Sequence, residues 1–209
     1  MKTQAVNKSE QDSLTSSIVL DQLKSGNQRY SEGSLSSSSF SDLREQTVTG
    51  QYPKAIILSC IDSRVPVEMV FDQSVGDIFV ARVAGNFVNT DILGSMEYAC
   101  AVAGSPLIVV LGHEGCGAVK AACDNVELGN ITAMLKPIKP AVEEVKKTAN
   151  DPFDSSNTSF VDSVIAKNVN LTIDRILEES PILKDLNDKG DIAICGAVYK
   201  LQSGAVEWL

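Results

Sequence analysis

The chain has one histidine, His113, and one tryptophan, Trp208. A lone imidazole excludes a three-histidine zinc site, and it excludes a Ser-His-Asp triad independent of whatever His113 does. It also leaves no second histidine to relay protons. A basic excess is missing: 18 Lys and Arg stand against 27 Asp and Glu, a net charge of −9. Nucleic-acid binders need a basic face, so no nucleic-acid partner is expected. No apolar run approaches the roughly 20 residues needed to span a bilayer, so no membrane partner is expected either. Residues 1–17 lack the basic-then-apolar pattern of a secretory signal. The five cysteines (60, 100, 116, 123 and 195) are odd in number and irregularly spaced, and no Cys-x-x-Cys knuckle joins any pair. Reduced thiols in a cytoplasm are the expectation. Neither Gly-x-Gly-x-x-Gly nor a Walker A pattern is present, which weakens a nucleotide-binding reading of the glycine-rich turn at 112–117. No repeat and no interdomain linker interrupts the 209 residues.

With 44% hydrophobic and 22% charged residues, the chain can bury a sizeable core. Short β-branched runs at 54–59, 77–83, 106–111 and 192–198 read as strands. Helical patterns separate them at 66–70, 91–103, 118–123, 131–148, 159–179 and 181–188. Alternation of this kind implies an α/β fold, a central and mostly parallel sheet flanked by helices. The Ser203-Gly204 turn predicts a hairpin, so a last strand at 205–209 should be antiparallel to the four parallel ones. Residues 1–50 read as a leader and helical arm: 1–17 a mobile leader or the start of the arm, a helix over 17–30 ending near Gly26, a serine-rich loop over 31–41 and a helical turn over 42–49. Residues 51–209 form the α/β domain.

Two strand ends carry chemistry. The first ends in Cys60-Ile61-Asp62-Ser63-Arg64, the third in Gly112-His113-Glu114-Gly115-Cys116-Gly117. Two thiolates and an imidazole suit zinc, which prefers four tetrahedral N, S or O ligands. Neighbouring parallel strands would bring Cys60, His113 and Cys116 together, with Asp62 or water in the fourth position. For each cysteine alone, a small buried hydrophobe is the commoner role. Structural zinc sites are closed, usually by four cysteines or by two cysteines and two histidines. Three ligands beside a charged pair describe an open, catalytic site instead.

These two segments resemble the paired signatures of the β-class carbonic anhydrases. The resemblance extends to Leu23–Tyr30, Asp77–Asn86, Gly94–Ala99 and Gly196–Tyr199, in order and over most of the chain. It implies a zinc (Zn2+) lyase that reversibly hydrates carbon dioxide to bicarbonate and a proton, through a zinc-bound water acidified toward a pKa of about 7. It further implies that Arg64 holds Asp62 away from the metal, oriented to accept a proton of that water. Gln73 would hydrogen-bond the substrate, and Phe87 and Tyr98, with Gly117, would line its pocket; for Phe87 and Tyr98 ordinary core packing is the competing reading. The family shares this pocket across a dimer, so a homo-oligomer (homodimer or homotetramer) is implied, with residues 17–50 packing on the partner. Val83 departs from the asparagine common in the family, which puts local hydrogen bonding there in question. The lone Trp208, near the C-terminus, does not fit the tryptophan–arginine–tyrosine set through which some members bind inhibitory bicarbonate, favouring an open site. Two alternatives keep the fold and metal: a carbon disulfide or carbonyl sulfide hydrolase, and a non-catalytic zinc-binding protein.

Overall fold

Continuous apolar runs become the five strands of one sheet in a computed structural model that describes residues 2–209. The strands are β1 (Ile56–Ser59), β2 (Phe79–Arg82), β3 (Leu107–His113), β4 (Ala193–Tyr199) and β5 (Val206–Trp208), in the order β2-β1-β3-β4-β5. The first four are parallel and β5 runs antiparallel to β4, as the sequence implies. β1 and β3 are buried throughout, because helices cover both sheet faces.

The helices are α1 (Lys8–Asp12), α2 (Ser16–Ser31), α3 (Phe40–Gln46), α4 (Val67–Val70), α5 (Thr90–Glu97, continued by a π-helical turn to Val102), α6 (Gly117–Cys123), α7 (Gly129–Leu135), α8 (Lys139–Lys146), α9 (Thr158–Glu179) and α10 (Pro181–Lys189). On one face, Val19 and Leu23 of α2 and Val67, Val70 and Phe71 around α4 pack against Ile57, Val109 and Leu111. On the other, Val169 and Ile176 of α9, with α5 and α10, cover Ile56, Leu58, Ile108 and Val110. Burying one such side chain contributes about 1.5–3 kcal/mol.

Three expectations are corrected here. The pattern over 131–148 is two helices, α7 and α8, because Pro137 and Pro140 interrupt the backbone hydrogen-bond ladder between them. The leader is docked: Gln11 of α1 is buried, and its side-chain amide donates to the carbonyls of Pro53 and Ala103. Gly26 does not end α2, which runs to Ser31. Its role is close approach, since a Cβ there would lie 1.9 Å from the Phe71 carbonyl oxygen. Gly26→Ala should therefore push α2 off α4 and cost about 3 kcal/mol. A lowered urea midpoint with an unchanged slope would show it.

The chain steps from β1 outward to β2, then crosses back to β3 on the other side. Helices leave the sheet in different directions at that point, opening a crevice at the carboxyl ends of β1 and β3.

Candidate metal centre

The crevice brings together the three residues expected to bind metal. Cys60 follows β1, His113 is the last residue of β3, and Cys116 is the residue before the first turn of α6. One donor atom from each lies within 4.8 Å of the others, and all three residues are buried. The two sulfurs are 3.9 Å apart. Tetrahedral zinc with Zn–S bonds of about 2.3 Å would hold two sulfurs about 3.8 Å apart, so little adjustment is needed.

The imidazole tautomer follows from its neighbours. His113 Nδ1 is 2.8 Å from the Glu114 carbonyl, which can only accept, so Nδ1 carries the proton. Nε2 then presents a lone pair to the two sulfurs, and it is buried with no hydrogen-bond partner among the described residues. A buried unpaired acceptor costs about 1–3 kcal/mol, and a metal ion would satisfy it. The Cys60 and Cys116 thiols share a hydrogen bond. That bond, aided by the Gly85 N–H, lowers the Cys60 pKa, while the same pairing and burial raise that of Cys116. Zinc displaces such a proton.

Asp62 is held by Arg64 alone among the side chains. The Arg64 backbone N–H and Nε donate to Oδ1, both at 2.9 Å, and Nη2 donates to Oδ2 at 2.8 Å. These bonds hold the carboxyl pKa down to about 2, so it is ionised throughout the neutral range. Asp62 Oδ2 is 3.9 Å from His113 Nε2, beside the cluster and turned toward the guanidinium.

Three supporting residues were not singled out by sequence reasoning. Arg82, at the end of β2, donates from Nε to the Cys60 carbonyl (2.8 Å) and from Nη2 to the Asp62 carbonyl (2.7 Å), fixing that loop. The Gly85 N–H donates to Cys60 Sγ at 3.3 Å. Gly85 has φ +85°, and a Cβ there would meet Ile138 Cδ1 at 2.5 Å, so glycine is required. Asn168 of α9, buried, donates to the Gly85 carbonyl at 2.9 Å. An asparagine on the buried stripe of α9 was the available signal. The Val83 departure disturbs little: the Val83 N–H still donates to Ser59 and its carbonyl accepts from Asn86.

The pocket residues divide. Phe87 is buried in the same apolar cluster as Cys60 and Cys116. Gly117 begins α6 beside Cys116, with open space where a Cβ would be. Gln73 and Tyr98 are not brought to the cluster within this chain. Gln73 Nε2 donates to the Phe71 and Asp72 carbonyls beneath α2. Tyr98 is 53% exposed and meets Phe79 edge-on at the β2 margin. Glu114 turns away from the metal cluster, pairing with Lys200 and accepting from the Leu201 N–H. Cys100, Cys123 and Cys195 stand apart as thiols, pushed up to about 12, 11 and 12 mainly by burial.

Two cysteines and one histidine at the switch point of a parallel sheet, beside an aspartate locked to an arginine, form a donor set suited to a zinc enzyme. Residues 55–206 match the family model described as Carbonic anhydrase. The chain is 36% identical over 188 residues to "Carbonic anhydrase 2" of Mycobacterium tuberculosis, covering 87% of each. It superposes on the β-carbonic anhydrase CcaA with a TM-score of 0.70 at 26% identity, covering 91% of this chain and 94% of that one. A tetrameric β-carbonic anhydrase of Sordaria macrospora gives a TM-score of 0.68 at 23% identity, covering 92% and 94%, and shows the shared fold. The chain belongs to the carbonic anhydrase family, in its β class, the zinc lyases that interconvert carbon dioxide and bicarbonate.

Proposed function

We propose that Cys60, His113 and Cys116 hold the catalytic zinc, and that Asp62, positioned by Arg64, directs the hydration of carbon dioxide. The observation that carries this reading is the geometry of Asp62. Its carboxylate lies against the donor cluster, yet three N–H groups of Arg64 hold both its oxygens. Zinc, when bound, acts as a Lewis acid that lowers the pKa of a water to about 7. Ionised Asp62 accepts a hydrogen bond from the attacking water and so aims its free lone pair at the substrate carbon. Phe87 supplies an apolar wall, which suits a non-polar gas. Arg82 and Arg64 fix the loop and carboxylate so that Asp62 does not enter the fourth position. Intact Asp62 and Arg64 speak against a zinc protein without catalysis.

The only imidazole is committed to the cluster, so the product proton must leave through external buffer. Stopped-flow hydration should rise with buffer concentration and saturate, with kcat far more dependent on buffer than kcat/KM. Buffer-independent turnover at low buffer would contradict this. The same assay with carbonyl sulfide and carbon disulfide tests the alternative substrates; turnover of either in place of carbon dioxide would reassign the activity.

We read the chain further as a cytoplasmic homo-oligomer, a dimer or tetramer. The open β2 edge, with exposed Tyr98 on a flanking groove of about 680 Å3, offers a contact face. The Sordaria macrospora relatives are tetrameric. Gln73 and Tyr98, remote from their own cluster, would serve a substrate pocket only if a second copy presented them there. Residues 1–50, outside the matched 55–206, are the arm in this reading and 51–209 the catalytic domain. Five unpaired cysteines suit a reducing compartment, and no helix among the described residues is long and apolar enough to cross a membrane.

A further inference from the structure

Glu114 stands between two of the donor residues and joins them to the segment that follows β4. Its carbonyl accepts from His113 Nδ1 at 2.8 Å, the bond that leaves Nε2 facing the sulfurs. Glu114 is the first residue past β3, so no sheet ladder holds that carbonyl. Its other groups are held from β4 onward. The Glu114 N–H donates to the Tyr199 carbonyl at 3.0 Å, beyond the His113–Tyr199 pair that ends the β3–β4 register. Oε2 accepts from the Leu201 N–H at 3.1 Å, and Oε1 lies 3.2 Å from Lys200 Nζ. Lys200 is itself fixed by the hairpin, its N–H donating to the Ala205 carbonyl and its Nζ pairing with Glu207 of β5 at 3.0 Å. The next residue, Gly115, has φ +62°, and a Cβ there would lie 3.6 Å from Leu201 Cδ1, so the turn toward Cys116 runs beside the same segment.

We propose that the Glu114 side chain is a positioning element for the metal centre. Through the Leu201 N–H it tethers the turn between His113 and Cys116 to the β4–β5 hairpin, and so holds the carbonyl that fixes the His113 ring. The inference rests on the reading of His113 as a zinc ligand. Of the two side-chain contacts, the Leu201 bond carries the role. It is charge-assisted and made to a backbone N–H whose place is set by the hairpin. The Lys200 contact is a partly exposed ion pair on a flexible side chain, and such pairs contribute little. The reach of the side chain therefore matters more than its charge. An imidazole held at Nδ1 keeps Nε2 aimed at the cluster, and outer-shell partners of this kind govern how tightly a metal is bound.

Two substitutions separate reach from charge. Glu114→Asp keeps the carboxylate, which the flexible Lys200 can follow, but the arm is one carbon shorter and falls away from the Leu201 N–H. Glu114→Gln drops the charge and keeps an oxygen at the same reach. The sample is the zinc-loaded full chain labelled with 15N-histidine, in which the single histidine makes the ring spectrum unambiguous. Zinc affinity is read by competition with a chromophoric chelator, and exchange of the Nδ1 proton with solvent by NMR. In Glu114→Asp zinc should bind about tenfold more weakly and the Nδ1 proton should exchange faster by a similar factor, the low end of what disturbing such a partner costs. Glu114→Gln should match the parent in both. Affinity and exchange unchanged in Glu114→Asp would overturn the assignment, even beside a lowered urea midpoint. So would a loss in Glu114→Gln as large as that in Glu114→Asp, which would make the charge responsible. A parent chain that takes up no zinc would reject the ligand reading and this inference with it; a parent that binds zinc while the variants fail to separate would reject this inference alone.

Discussion

Cys60→Ala is expected to lose zinc and carbon dioxide hydration together. Cys60 contributes one of the two thiolates, and its sulfur also accepts the Gly85 N–H. Removing it leaves His113 and Cys116 facing a buried space with too few donors for a tetrahedral ion. Structural zinc sites bind with about 10–16 kcal/mol across four ligands, so one thiolate carries about 2.5–4 kcal/mol, a weakening of roughly 70- to 900-fold. At micromolar protein the ion should be lost on gel filtration against a mild chelator. Elemental analysis and stopped-flow assays on the same sample report both losses. Circular dichroism should stay close to that of the parent, because Cys60 lies beyond the last residue of β1. Retained hydration in Cys60→Ala would mean that the ligand set is different.

Asp62→Asn should separate binding from chemistry. Zinc is expected to stay at one ion per chain while hydration falls about 100- to 10,000-fold, the usual range for a group that handles a proton in the transition state. The geometry says why an isosteric amide cannot substitute. Oδ1 accepts two bonds from Arg64, so the amide oxygen of asparagine is drawn to that side. The amide NH2 then replaces Oδ2, the oxygen 3.9 Å from His113 Nε2, where an acceptor is needed. There it also faces Arg64 Nη2, donor against donor. Loss of both metal and rate would make Asp62 a ligand in its own right. Unchanged rate would remove it from the mechanism.

The sheet and the clustering of Cys60, His113 and Cys116 were legible in the sequence for physical reasons. A strand buried on both faces must be continuously apolar, as Ile56–Ser59 and Leu107–Leu111 nearly are, and polar ligands stand out where such a run stops. A lone histidine also restricts the chemistry severely. Helix limits were less legible, because apolar periodicity continues through Pro137 and Pro140 although the backbone cannot. Gly26 misled for a related reason: it reads as a stop, yet its missing Cβ lets α2 approach the Phe71 carbonyl. The supports of the site were hidden. Arg82 closes a short strand and Asn168 lies on a core-facing stripe, and only their partners, the carbonyls of Cys60, Asp62 and Gly85, reveal their use. Gln73 and Tyr98 lie away from the donor cluster of their own chain, so the role the resemblance implies for them has no counterpart in the geometry of one chain.

The most direct test of the central claim is a zinc titration of chelator-stripped protein, with carbon dioxide hydration followed at pH 7 and pH 8.5. Activity should rise linearly with added zinc and level off at one ion per chain. Full uptake of zinc with no hydration at either pH would contradict the account.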